Sequence, residues 1–140
     1  MKISIIYGST TGSTETVAGI ISNAISNHDV EVVNVAQAND NHVKEADLVL
    51  LGSSTWGYGE LQDDFVTYLD RMNEELYKGK SVAVFGCGDS ISFSDVFCEA
   101  VNIISDKVTT IGGHLVSEPL KIDGDVNDHS DEIISFAKAL

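Results

Sequence analysis

Residues 5–20 read Ile5-Ile6-Tyr7-Gly8-Ser9-Thr10-Thr11-Gly12-Ser13-Thr14-Glu15-Thr16-Val17-Ala18-Gly19-Ile20, and this stretch decides the fold. An apolar strand runs into a turn packed with hydroxyls, and the turn runs into a helix. Of the six residues 9–14, five carry a hydroxyl, and the sixth is Gly12. A helix N-terminus offers unpaired N–H groups and a partial positive charge. Converging Ser and Thr hydroxyls turn that end into a phosphate site. The site is built from neutral donors, because Lys2 is the only Lys or Arg before Lys44.

The turn is not a P-loop, which needs a Lys that is absent here. Nor is it the dinucleotide fingerprint, since Gly8 and Gly12 stand four apart with no Gly-x-Gly. A Ser/Thr turn can also simply cap a helix, but one hydroxyl suffices for that.

The 140 residues suit one domain over residues 1–140 with a single core. No apolar run approaches the ~20 residues of a membrane span, and Met1-Lys2 leads directly into a strand with no visible signal peptide. These features predict a cytoplasmic protein. Twenty-two acids against eight bases give a net charge of −14. Nucleic acid and acidic membranes are therefore excluded as partners. The two cysteines, Cys87 and Cys98, have ten residues between them, which fits no zinc or thioredoxin spacing. They read as buried thiols in a reducing compartment. Histidines 28, 42, 114 and 129 show no metal spacing and read as surface or structural.

Strand and helix patterns alternate along the chain. Strands are expected at 3–7, 30–35, 47–53, 81–85 and 114–122. Helical stripes run through Val17, Ile20, Ile21, Ala24 and Ile25, then Leu61, Phe65, Tyr68, Leu69 and Met72. A third joins Phe97, Val101, Ile104, Val108 and Ile111, and a fourth Ile133, Phe136, Ala137 and Leu140. A weak helix is expected in 37–46. Pro119, near the middle of the fifth strand, argues for an edge or a bulge. Such alternation predicts an α/β three-layer sandwich, a five-stranded parallel sheet of order 2-1-3-4-5 with helices on both faces. Ligands of such sheets bind beyond the carboxyl ends of the strands, where the order reverses.

Three loops converge there. The first is the hydroxyl turn. The second, after strand three, reads Ser53-Ser54-Thr55-Trp56-Gly57-Tyr58-Gly59-Glu60 and holds the only Trp. The third, after strand four, reads Gly86-Cys87-Gly88-Asp89-Ser90-Ile91-Ser92-Phe93 and pairs a carboxylate with an aromatic ring. A lone Trp is more often core than ligand contact, and Phe93 could be simple packing at a helix start. Together, a phosphate turn and two aromatic loops at one sheet edge describe a flat phosphorylated cofactor.

The chain resembles the flavodoxins, of the short type without an insertion in the fifth strand. The likeness rests on residues 9–14, Ser54-Thr55-Trp56-Gly57, Leu61-Gln62-Asp63-Asp64-Phe65, and Phe85-Gly86-Cys87-Gly88-Asp89 followed by Phe97-Cys98. It implies tightly but non-covalently bound FMN and low-potential one-electron transfer between semiquinone and hydroquinone. It implies no enzymatic turnover. Ser9, Thr10, Thr11, Gly12, Ser13 and Thr14 would bind the phosphate, and Ser53, Ser54 and Thr55 would line the ribityl chain. Trp56 would cover the inner flavin face, with Gly57 and Tyr58 near N5. Cys87, Gly88, Asp89 and the segment to Cys98 would meet the pyrimidine end. Phe93 falls where many members carry a stacked Tyr; Phe93 and Tyr58 are both candidates for the outer face. With such a cofactor, the Gly57-Tyr58 peptide is expected to reorient on one-electron reduction, and Glu60, Asp63, Asp64, Asp70, Glu74 and Glu75, opposed by Arg71 and Lys78, to disfavour the anionic reduced flavin. Expected partners are basic-faced redox proteins, reductases and acceptor enzymes, met transiently by a monomer.

Three rivals are weighed. A flavin-dependent quinone or azo reductase would need more chain for a substrate pocket. A phospho-receiver domain would need acids after strand one and at the end of strand three, where this chain has Gly8-Ser9 and Ser53-Ser54. A small regulatory flavoprotein serving one enzyme differs only in its partner.

Overall fold

The computed structural model describes residues 1–9, 12–56, 60–88 and 98–140, with only the backbone of Trp56 and Glu60. Four long strands, β1 (Lys2–Gly8), β2 (Asp29–Asn34), β3 (Leu48–Trp56) and β5 (Ser81–Gly88), form the parallel body of one sheet. Short strands β6 (His114–Leu115) and β7 (Leu120–Asp123) both pair in parallel with β5. The spatial order β2-β1-β3-β5-β6 is the predicted doubly wound one.

Two features depart from expectation. The fifth strand is broken: His114 pairs with Ser81 but Leu120 with Phe85, so the register slips by two residues. The slip spans residues 116–119, where Pro119 has no N–H to give the ladder. In addition, Glu60–Leu61 forms a small antiparallel strand, β4, against Thr55 and Trp56. Leu61 therefore belongs to a hairpin at the end of β3, and the helix starts two residues later.

Helices cover both faces. On one, α1 (Ser13–Ala24) and α6 (Ser130–Lys138) pack Val17, Ala18, Ile21, Ile133 and Ala137 against Ile3, Ile5, Leu50 and Phe85. On the other, α3 (Asp63–Arg71) and α5 (Glu99–Thr110) pack Phe65, Tyr68, Val101, Ile104 and Val108 against Ile6, Val49, Leu51 and Val84. Strands buried on both faces read as continuous apolar runs, which is why 48–51 showed no alternation. Each fully buried Leu, Ile or Phe contributes about 1.5–3 kcal/mol. Ser4, inside β1, is buried and donates to the His42 carbonyl at 2.6 Å.

That carbonyl belongs to α2 (Asp40–Lys44), the weak helix expected in 37–46. A capping box starts it: Asn39 Oδ1 accepts from the Asn41 amide, and His42 Nδ1 accepts from the Asn39 amide. His42 is thus structural, as its lack of metal spacing suggested. A further short helix, α4 (Glu74–Tyr77), buries Tyr77, whose hydroxyl meets that of Tyr68 at 2.6 Å.

Candidate cofactor site

The sheet register brings the three predicted loops to one edge. Gly8 stands opposite Ser53, Ser54 opposite Cys87, and Gly88 opposite Asp123. The chain segments leaving β1, β3 and β5 therefore emerge side by side. Thr10, Thr11, Gly57, Tyr58, Asp89 and Phe93 lie outside the described residues, as does the Trp56 side chain. The remaining predicted residues can be placed.

The start of α1 is not a side-chain cap. Its N-cap is Gly12, at φ 96, which only glycine adopts without strain. As glycine it brings no side-chain cap to the helix. Ser9 Oγ instead accepts from the Gly12 amide at 3.0 Å, which closes the turn before the helix begins. Ser13 is half-buried in this first turn. Thr14 is fully buried, and its Oγ1 meets no nitrogen or oxygen partner among the described residues; the Cys87 thiol beside it offers only a weak sulfur contact. A buried polar atom without a partner is rare and costly unless a ligand supplies one. A positive dipole end and a buried hydroxyl beside it fit a phosphate held without a cation.

The second loop is tied down from within. Ser53, fully buried, donates to the Ser54 carbonyl at 2.9 Å and accepts from the Gln62 amide at 3.1 Å. Ser54 is buried beside it. Thr55 Oγ1 accepts from the Ala100 amide at 3.1 Å, so it joins the end of β3 to the first turn of α5. Gln62 lies in the Leu61–Phe65 segment, and the sequence alone assigns it no role. In the structure its side chain caps α3 by accepting from the Phe65 amide, and donates to Asp64 Oδ2 at 3.2 Å. The same amide packs on Gly8, where an added Cβ would lie 2.6 Å from Gln62 Oε1. Gln62 therefore links the first loop, the second loop and the acidic start of α3.

The two cysteines occupy opposite faces of the sheet. Cys87 packs with the α1 side and Cys98 with the α5 side. Burial pushes the Cys87 thiol up to about 11, against a smaller opposing pull from the neighbouring Thr14 hydroxyl. Burial likewise pushes Cys98 up to about 12. The Cys98 thiol points between the Gly86 and Ile122 carbonyls at 3.9 and 3.8 Å, and its backbone takes φ 51 as the N-cap of α5. Gly88 accepts from the Gly124 amide at 3.0 Å, so β7 braces the end of β5.

Comparison with known proteins agrees with this geometry. The flavodoxin family profile matches residues 5–136. The chain belongs to the flavodoxin family. The flavodoxin of Maridesulfovibrio salexigens is 41% identical, over 99% of this chain and 96% of that one. The oxidised flavodoxin 2 of Bacillus cereus superposes with a TM-score of 0.81 at 34% identity, covering all of both chains. The fold alone is shared with Fusobacterium nucleatum flavodoxin, solved bound to flavin mononucleotide: TM-score 0.85 at 20% identity, over 99% and 95% of the two chains. Among the described residues no helix is long and apolar enough to cross a membrane, and no cluster of His, Cys, Asp or Glu could hold a metal ion.

Proposed function

We propose that residues 1–140 form one FMN-binding domain, with the cofactor phosphate seated at the N-terminus of α1 and the flavin between the loops that follow β3 and β5. The observation that carries this reading is Thr14 Oγ1, fully buried at the start of α1 with no nitrogen or oxygen partner among the described residues and only the Cys87 thiol beside it. The chain is an electron-transfer protein of low potential rather than an enzyme. When bound, FMN supplies the one-electron chemistry.

The chain's own residues bind and orient. The α1 amides and the hydroxyls of Ser9, Thr10, Thr11, Ser13 and Thr14 would neutralise the phosphate. Ser53, Ser54 and Thr55 would hold the β3 end beside the ribityl chain, largely through their bonds to Gln62 and Ala100. Trp56, Gly57 and Tyr58 would contact the ring, and Cys87, Gly88, Asp89, Phe93 and Cys98 would form and position the pyrimidine side. Asp63 and Asp64, exposed at the start of α3, place negative charge near the same edge. That charge opposes a further negative charge on the flavin and lowers the second potential.

The protein passes electrons to and from redox partners. The exposed Asp63, Asp64, Asp70, Glu74 and Glu75, opposed by Arg71 and Lys78, favour partners with Lys or Arg around their own cofactors. Such encounters are brief and suit a monomer. Two buried free thiols suit a reducing, cytoplasmic setting.

The test is an anaerobic dithionite titration of the purified protein, followed by visible absorbance. Two separated one-electron steps are expected. A single two-electron bleach would sink the carrier reading, and a protein that fails to take up FMN would sink the phosphate site.

A further inference from the structure

His129 sits between two groups that can only accept. Its Nε2 lies 2.7 Å from the Asp123 carbonyl oxygen, and its Nδ1 lies 3.1 Å from Glu132 Oε2. A neutral imidazole has one N–H and satisfies one of these; the imidazolium satisfies both. The Asp123 carbonyl matters because Asp123 ends β7 and pairs with Gly88, while the next amide, Gly124, donates to the Gly88 carbonyl at 3.0 Å. Gly88 leads directly into residues 89–97.

We propose that His129 is a positioning residue for the flavin: as an imidazolium it bridges Asp123 and Glu132 and so holds the Gly124 turn against Gly88, at the root of the pyrimidine-side segment. This rests on the reading of the carboxyl-end loops given above. The surroundings favour the charged ring. The elements packed against its turn, β7, α1 and α6, carry Lys121 and Asp123, Glu15, and Asp131, Glu132 and Lys138. The turn itself adds Asp125 and Asp128. The bond to the Asp123 carbonyl, then Glu132, then Asp128, hold the His129 pKa above its ordinary value. The bridge is therefore complete at low pH and loses one arm as pH rises through that raised pKa.

The experiment compares wild type, His129→Gln and His129→Ala as holoproteins at about pH 6 and about pH 9, on either side of a raised imidazole pKa. Each is serially diluted and released FMN is read by its fluorescence, while NMR follows the His129 ring. Gln keeps one donor toward Asp123 and does not titrate, so its pH profile subtracts ionisation of the FMN phosphate. Relative to His129→Gln, wild type should lose roughly two- to tenfold in affinity across this range, the scale of one hydrogen bond. The midpoint should match the ring titration, and His129→Ala should bind weakly at both pH values. Identical pH profiles in wild type and His129→Gln, with tight binding, overturn the role of His129 and leave the loop reading standing. A protein that holds no FMN at either pH overturns both.

Discussion

The Thr55 hydroxyl accepts the Ala100 amide at 3.1 Å, across 45 positions of sequence. Through this bond the loop after β3 and the helix after the loop of β5 hold each other. The N-cap of α5, Cys98, offers no side-chain cap of its own. Thr55 therefore does from another strand what a capping residue does locally. Replacing Thr55 by Val keeps the shape and removes the acceptor. Loss of a helix cap costs about 1 kcal/mol, and denaturant unfolding of the apoprotein should show it. FMN affinity should fall as well, because two cofactor loops lose their tie.

Thr14 makes the opposite prediction for stability. Its hydroxyl is fully buried with no nitrogen or oxygen partner among the described residues and only the weak contact of the Cys87 thiol, so the apoprotein bears a desolvation penalty. Thr14→Val should raise apoprotein stability by about 1 kcal/mol. On the proposed phosphate seat the same change removes one hydrogen bond to a charged group, and FMN should then bind roughly 10- to 100-fold more weakly. Riboflavin, which lacks the phosphate, should bind the variant and wild type alike. Equal loss for both ligands would place Thr14 away from the phosphate.

The α1 stripe was legible because its buried residues, Val17, Ala18 and Ile21, follow the helical period. The sheet interior was legible because β1, β3 and β5 are apolar on both faces, whereas β2 at the edge carries Asp29 and Glu31. β4 was not: two residues carry no period, and Leu61 stands four before Phe65, where a helix would also put an apolar side chain. Its strand state is set by pairing of Glu60 with Trp56, a tertiary fact. The break in the fifth strand was half legible, since Pro119 marked the place but not the two-residue slip. Of the site, the hydroxyl turn was readable from composition. Gln62 and His129 were not, because each acts on a backbone group, Gly8 or Asp123, that only the fold brings near.

Gly86 should tolerate no side chain. An added Cβ would lie 2.5 Å from the Ser53 carbonyl oxygen and 2.5 Å from Val101 Cγ2. Val101 can shift, but the Ser53 carbonyl belongs to the neighbouring strand. Gly86→Ala should cost about 1–3 kcal/mol, the range for forced overpacking. Thermal unfolding measures it directly.

The thiols should be silent in the folded state. Cys87 and Cys98 are buried, raised to about 11 and 12, and lie on opposite faces of the sheet. At neutral pH neither offers a reactive thiolate. An aromatic disulfide reagent should therefore label none until denaturant is added, then both. An internal disulfide formed by mild oxidation of the folded protein would contradict this placement.

Tyr68 and Tyr77 share one hydrogen bond in the core, and neither phenol is free to ionise there. Burial, first of all, raises both pKa values. For an acid whose folded pKa is raised, stability is constant below the unfolded value and falls as pH climbs past it. The pair should thus have no effect on stability below about pH 10 and should weaken the fold progressively above it. Tyr77→Phe leaves the Tyr68 hydroxyl without this partner and should cost about 1–3 kcal/mol at neutral pH. Adding Tyr68→Phe should recover part of that loss, since two apolar rings replace a broken pair. The double-mutant cycle decides between a specific bond and simple packing.

The acidic start of α3 sets the last expectation. Gln62 Nε2 holds the Asp64 carboxylate at 3.2 Å, so this charge has a fixed place at the end of the second loop. A unit charge about 10 Å from the flavin contributes roughly 0.4–1.7 kcal/mol for effective dielectrics of about 80 to 20. With tenfold per 59 mV, that is about 20–70 mV per charge before screening. Asp63→Asn with Asp64→Asn should raise the second reduction potential by tens of millivolts at low salt. The rise should shrink as salt is added. A potential that stays put at low ionic strength would assign the low potential to ring stacking and solvent exclusion instead of to the field of α3.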